Sequence, residues 1–263
     1  MASKNRTADL TIAGRFCGPA RSGNGGYTAG SLAERVHGNT VRPAVEVRLR
    51  QPPPLDVAMN VERVDEGALL LFGGSRIAEA RVVNVDLEPV EAVSIEAARE
   101  AATRFIGLSA HPFPRCFACG PDRAEGDGLR IFPGPMGHAA DDAVEVAVDG
   151  NHVASGWVPH PGLAESSDLR DGLQRVGLGV AWAALDCVGG WAGGIGERRM
   201  VLGAMTAQVD DLPLVDEPHV VVGTSRGSEG RKTFTASTLY DSDGRIVGRA
   251  SHTWIAIDPS AFI

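Results

Sequence analysis

The sequence predicts an α+β protein of two similar halves, each a curved antiparallel sheet wrapped around one central helix. Three observations predict it. One helix followed by an antiparallel meander occurs twice along the 263 residues; the strands alternate apolar and polar residues; and in both halves the strand after the helix ends in a proline-containing stop. The two sheets are expected to join edge to edge, so that neither leaves a long unpaired strand in solvent.

In the first half, the segment after Asn24-Gly25-Gly26 carries Ala29, Leu32, Ala33 and Val36 at the i, i+3, i+4, i+7 spacing of an amphipathic helix. The stretch AVEVRLRQPPPLD then reads as an alternating strand halted by prolines. A strand from Met59 to Val64 follows, and ALLLFGGSRIAEARVVNV reads as strand, GG turn, strand. The segment SIEAAREAATRFIGL, with Ser94 as N-cap, is a connecting helix, and the loop-like HPFPRC follows it. The boundary is placed near residue 110, giving halves of 1–110 and 111–263.

In the second half, Val176, Val180, Ala183, Ala184, Cys187 and Trp191 form a broad apolar stripe on a helix expected to be mostly buried. The strand AMTAQVDDLPLVD matches the proline-stopped strand of the first half, and HVVVGTSRGSEGRKTFTASTLYDSDGRIVGRASHTWIAI continues as a meander with DSDG at a hairpin turn.

Composition narrows the partners. A formal charge of -8 opposes a general attraction to nucleic acid or anionic lipid, and no apolar run resembles a signal peptide or a membrane span. The expected location is cytoplasmic. Cys17, Cys116, Cys119 and Cys187 are too few for a disulfide scaffold and suit a reducing compartment. The Cys116-x-x-Cys119 pair lacks a second CxxC or a close His pair, so a tight turn before Gly120 is favoured over a metal site and no metal is expected.

Several segments together resemble the double hotdog acyl-CoA thioesterases. SGNGGYTAGSLAERV followed by VEVRLRQPPPLDVAMNVERV is similar to that family's first repeat, and CFACGPDRAEGDGLRIFPGP resembles the CFxCG…GL opening of small hotdog thioesterases. AWAALDCVGGWA looks like their central helix with its acidic residue, and GRKTFTASTLYDSDGRIVGRASHTWIAI like their last two strands. The resemblance covers most of the chain and implies a tandem double hotdog that hydrolyses an acyl-CoA or other acyl thioester, with coenzyme A as part of the substrate and no further cofactor. It also implies that Asp186 occupies the catalytic carboxylate position, opposite a carbonyl-polarising glycine, Gly25 or Gly26, of the other repeat.

The residues themselves point the same way. Asp186 is the one formally charged side chain between Val176 and Ala192, and an unpaired buried carboxylate is costly. It is read as nucleophile or general base on a thioester carbonyl. The competing reading makes it a cap for neighbouring backbone or a partner of Arg175. Asn24, Gly25 and Gly26 open a helix whose free N–H groups could form an oxyanion hole, although a plain turn and cap is the commoner use of such glycines. Asn24 replaces the histidine that often precedes the paired glycines in single hotdog enzymes. Glu34 falls about one residue, roughly 100° around the helix, from where a second acid would lie, so it is read as a surface acid and one site per chain is expected.

Arg226, Arg231 and Lys232, with Arg198 and Arg199, could hold the phosphates of coenzyme A, or be ordinary solvated charge. Trp157, Trp182, Trp191 and Trp254 are read as core. The acids Glu165, Asp168 and Asp171 are poor candidates for a tuned base, and His37, His111, His138, His152, His160, His219 and His252 are each read as structural. Two other functions stay open: an enoyl thioester hydratase or dehydratase, and a non-enzymatic acyl-CoA or lipid binding protein. The expected partners are a small-molecule thioester and, through sheet edges or faces, a second copy of the chain.

Overall fold

A computed structural model describes residues 9–36, 43–137, 152–165 and 171–258. Its strands are β1 (Leu10–Thr11), β2 (Val45–Leu49), β3 (Ala58–Val64), β4 (Gly67–Phe72), β5 (Ser75–Val82), β6 (Gly134–Pro135), β7 (His152–Trp157), β8 (Met200–Val209), β9 (His219–Glu229), β10 (Lys232–Tyr240) and β11 (Ile246–Ala256). Its α-helices are α1 (Gly25–Ala33), α2 (Ile95–Thr103) and α3 (Leu178–Ala192).

The expected two sheets are one. All eleven strands pair in the order β1-β3-β4-β5-β2-β8-β11-β10-β9-β7-β6, and every strand pair within it is antiparallel. The join is β2 against β8, with Val45 opposite Ala207 and Val47 opposite Met205. Each of these strands would otherwise carry an unpaired edge of N–H and C=O groups, and pairing them satisfies both at once. The sheet is continuous and does not close on itself.

Local chemistry sets the elements. Asn24 caps α1 by accepting from the Tyr27 N–H at 2.8 Å, and Ser94 caps α2 by accepting from the Ala97 N–H at 3.1 Å. The β4–β5 hairpin turns through Gly73 and Gly74, both at positive φ (56° and 80°), as a tight two-residue turn requires. In the DSDG turn, the Asp241 carboxylate accepts from the backbone N–H groups of Asp243 and Arg245.

α1 and α3 pack against each other and against the sheet, α1 beneath β2, β5 and β8 and α3 beneath β8 to β11. Gly26 and Gly30, one turn apart on α1, make this approach possible. A Cβ on Gly26 would lie 2.4 Å from Asp186 Cβ, and one on Gly30 would lie 2.7 Å from Trp182 Cβ. The main apolar core therefore runs unbroken through both halves, from Leu70 and Val47 through Leu32 and Trp182 to Val221 and Leu239. The helix α2, grouped with the first half on sequence, packs across β6 and β7 of the second, over a smaller cluster containing Ala98, Ala101, Ala154 and Tyr240. Consecutive residues of β7, Val153 and Ala154, enter the two clusters in turn, as strand alternation dictates. No helix among the described residues is long and apolar enough to cross a membrane.

Candidate functional site

The site forms where the N-terminus of α1 meets the middle of α3. Asp186 is 2% exposed, and its Oδ2 accepts the Gly26 N–H at 2.8 Å. Its Oδ1 is buried with no hydrogen-bond partner. Desolvation raises its pKa to about 7, against the Gly26 N–H and the nearby Asn24 side chain, which favour the charged form. Burial of this acid is a property of α3 itself, which is buried at fourteen of its fifteen positions because it is sandwiched between α1 and the sheet.

Asp186 borders a cavity of about 300 Å³ that also touches Asn24 and Gly25. Its walls are mainly apolar, with Leu49, Phe113, Trp191, Met200, Leu202 and Trp254 among them. Three sequence candidates, Asn24, Gly25 and Asp186, thus line one space, and Gly26 touches it through its bond to Asp186. The three N-terminal N–H groups of α1 have different fates. Tyr27 donates to the Asn24 side chain and Gly26 to Asp186, while the Gly25 N–H has no acceptor among the described residues. An oxyanion arriving in the cavity would find that donor free, at the positive end of the helix.

Arg175 does not pair with Asp186. It forms ion pairs with Asp171 at 2.8 Å and Asp211 at 3.8 Å, which hold it at the start of α3 and away from the carboxylate. Asp171 is exposed, and Asp168, His37 and His138 lie outside the described residues. Glu34 is exposed beside Arg35 at the end of α1.

The expected phosphate cluster is not one cluster. Arg226 faces Glu88 at 3.9 Å in a separate cleft between the sheet and residues 85–88, because a bulge in β9 sets it apart from the strand end. Arg231 donates through Nε to the Ala256 carbonyl at 3.2 Å, and Lys232 stands opposite Ile255, a cavity residue, but neither side chain lines the cavity. Arg50, at the end of β2, does line it. Glu79 holds that side chain in an ion pair, and the Arg50 guanidinium in turn keeps the Glu79 carboxyl below the usual range. The tryptophans also divide: Trp157 and Trp182 are core, whereas Trp191 and Trp254 are buried cavity walls.

Four residues at the cavity, His111, Cys116, Cys119 and Cys187, were not read from the sequence as site groups. His111 lines it with Nε2 buried and unpartnered, while its Nδ1 accepts the Phe113 N–H at 2.9 Å; burial keeps its pKa below the ordinary imidazole value. Cys116 and Cys187 approach to 3.6 Å between sulfurs, and the Asn24 Nδ2 lies 3.7 Å from each. With Cys119, their three Sγ atoms all fall within 4.8 Å of one another. Hydrogen bonding from the Cys119 and Cys187 thiols holds Cys116 well below the usual thiol range. No periodicity announces this cluster, because Cys187 comes from α3 and the other two from the loop after α2.

Among known proteins, no family model matches the chain and no curated protein does. Solved structures do. A hot dog fold protein of unknown function from Alicyclobacillus acidocaldarius shares 13% identity over 98% of this chain and 96% of its own, with a TM-score of 0.56. The acyl-CoA thioesterase II TesB2 of Mycobacterium marinum is 10% identical over 97% and 94% of the two chains, with a TM-score of 0.56. The tesB protein of Mycobacterium avium subs paratuberculosis is 13% identical over 91% and 89%, with a TM-score of 0.53. The chain therefore has the hotdog fold. It resembles hotdog-fold proteins and TesB-like acyl-CoA thioesterase II structures over most of its length.

Proposed function

We propose that the protein is a thioesterase that hydrolyses an acyl thioester, acyl-CoA being the expected form, in the cavity between α1 and α3. The observation that carries this reading is the unpartnered Asp186 Oδ1, held at the wall of an apolar cavity whose other wall is the N-terminus of α1. The buried carboxylate takes a proton from water as the water attacks the thioester carbonyl carbon. The developing oxyanion is met by the Gly25 N–H, and collapse expels the thiolate, which recovers the proton from Asp186. In the direct-attack variant the carboxylate adds to the carbonyl carbon, and the tetrahedral adduct expels the thiolate to leave an anhydride between the acyl group and Asp186. Water then hydrolyses that anhydride to the free acid and the carboxylate. A cavity of about 300 Å³ sits at the small end of ligand sites and suits a small or medium acyl group.

One observation favours the binding-protein reading: Asp186 Oδ2 anchors α1 through Gly26, a structural task that needs no turnover. Release of free thiol from a panel of acyl-CoA esters separates the two. Turnover by the wild type and its loss in Asp186→Asn supports hydrolysis; equal rates for the two proteins reject the site, and absence of turnover alongside acyl-CoA binding favours the binder. A hydratase or dehydratase would instead convert enoyl-CoA without releasing thiol.

A further inference from the structure

We propose that Cys116, Cys119 and Cys187 form a three-thiolate site for a thiophilic d¹⁰ cation, zinc being the expected one, with its fourth coordination position facing the cavity. Sulfur geometry carries the argument. Around a tetrahedral zinc ion with bonds of about 2.3 Å, adjacent sulfurs stand about 3.8 Å apart. The Cys116 and Cys187 sulfurs are already 3.6 Å apart, and all three lie within 4.8 Å of one another, so a small closure of one side chain completes a tetrahedral face. All four cysteines of the chain are free thiols, so none of the three is tied up in a disulfide.

The surroundings are those of a ligand set. The Asn24 amide is fixed by its Oδ1, which accepts the Tyr27 N–H at 2.8 Å, and its Nδ2 is thereby turned toward the sulfurs of both Cys116 and Cys187. A donor locked in this way toward two sulfurs stabilises thiolates and orients them, the usual task of groups surrounding metal ligands. The loop carrying Cys116 and Cys119 is tight: the Gly120 N–H donates to the Cys116 carbonyl at 2.9 Å, and a Cβ on Gly120 would lie 2.6 Å from the Cys116 nitrogen. Cys-x-x-Cys-Gly thus presents both sulfurs from one turn toward a third from α3. Two further donor atoms without hydrogen-bond partners, Asp186 Oδ1 and His111 Nε2, belong to residues lining the same cavity, and Asp186 is 2% exposed. Burial of three soft sulfur ligands within 4.8 Å of one another is the donor chemistry of a zinc or zinc-like ion rather than of calcium or magnesium. This inference does not rest on thioester hydrolysis, and metal binding is read independently of turnover.

The test is a titration of the full-length, reduced, chelator-treated protein with cobalt(II). The expected result is the intense near-ultraviolet thiolate-to-cobalt band and the visible bands of a tetrahedral ion, saturating at one equivalent per chain and bleached by zinc. Cys187→Ser and Cys116→Ser should each lose the band, Cys17→Ser should keep it, and Asn24→Ala should weaken binding about 10- to 100-fold. Circular dichroism melts check that each variant folds. No thiolate band in the reduced wild type overturns the proposal, as does a band of unchanged intensity in folded Cys187→Ser.

Discussion

The Asp186 carboxylate is divided in use: Oδ2 accepts the Gly26 N–H at 2.8 Å, while Oδ1 stays buried with no partner. One oxygen ties the two central helices together and the other has no hydrogen-bond partner. Asp186→Asn can keep the helix contact, since an amide oxygen also accepts, but it cannot take a proton. Its kcat should fall by about 10²- to 10⁴-fold with little change in melting temperature. Thiol release beside a thermal melt checks this, and a large loss of stability with activity intact would reverse the assignment.

Gly26 and Gly30 set how closely α1 and α3 approach. Adding a Cβ at Gly26 meets Asp186 Cβ at 2.4 Å and the Trp182 carbonyl oxygen at 2.7 Å, and at Gly30 it meets Trp182 Cβ at 2.7 Å. Each Gly→Ala should cost about 1 to 3 kcal/mol through overpacking, measured by urea unfolding. Gly26→Ala should also remove activity, because it displaces the acceptor of the Gly26 N–H; Gly30→Ala should lose stability with the smaller loss of kcat.

Among the described residues, Arg50 is the one lysine or arginine lining the cavity, and the cleft that holds Arg226 lies elsewhere. Arg50→Ala should raise KM for acyl-CoA about 3- to 10-fold, with a difference that shrinks as salt is added. Arg226→Ala should leave KM unchanged. Steady-state kinetics at two ionic strengths decide between these residues.

His252 lies buried behind α3, its Nδ1 3.1 Å from Thr235 Oγ1 and its ring beside Gly189, and desolvation lowers its pKa to about 4. The unfolded chain binds this proton near pH 6.5, so the stability gained from keeping the ring neutral is complete above that pH and is lost as pH falls toward 4. The contribution lost between about pH 7.5 and about pH 5 should be about 2 kcal/mol. Asp186, whose raised pKa makes its own contribution fall as pH rises through the same window, acts in the opposite direction. The His252 part is therefore the difference between wild type and His252→Gln in urea unfolding at the two pH values.

Local patterns in the sequence were enough for the repeated order of helix and meander, the GG and DSDG turns, the Ser94 cap and the burial of α3. These depend on side-chain periodicity and on residues a few positions apart, which the chain carries in one dimension. The lone acid of α3 was legible for the same reason, as a charge where every neighbour is apolar.

Tertiary structure decided the rest. Whether two sheets merge depends on which edges meet, and β2 met β8 across more than 150 residues of chain. The same folding brought Cys187 to Cys116 and Cys119, placed Arg50 rather than Arg226 at the cavity, and turned Trp191 and Trp254 into its walls. Such contacts join residues far apart in sequence whose identities say nothing about each other. They are fixed by the packing of α1 on α3 against one continuous sheet, and so the acid could be read from the sequence while its surroundings could not.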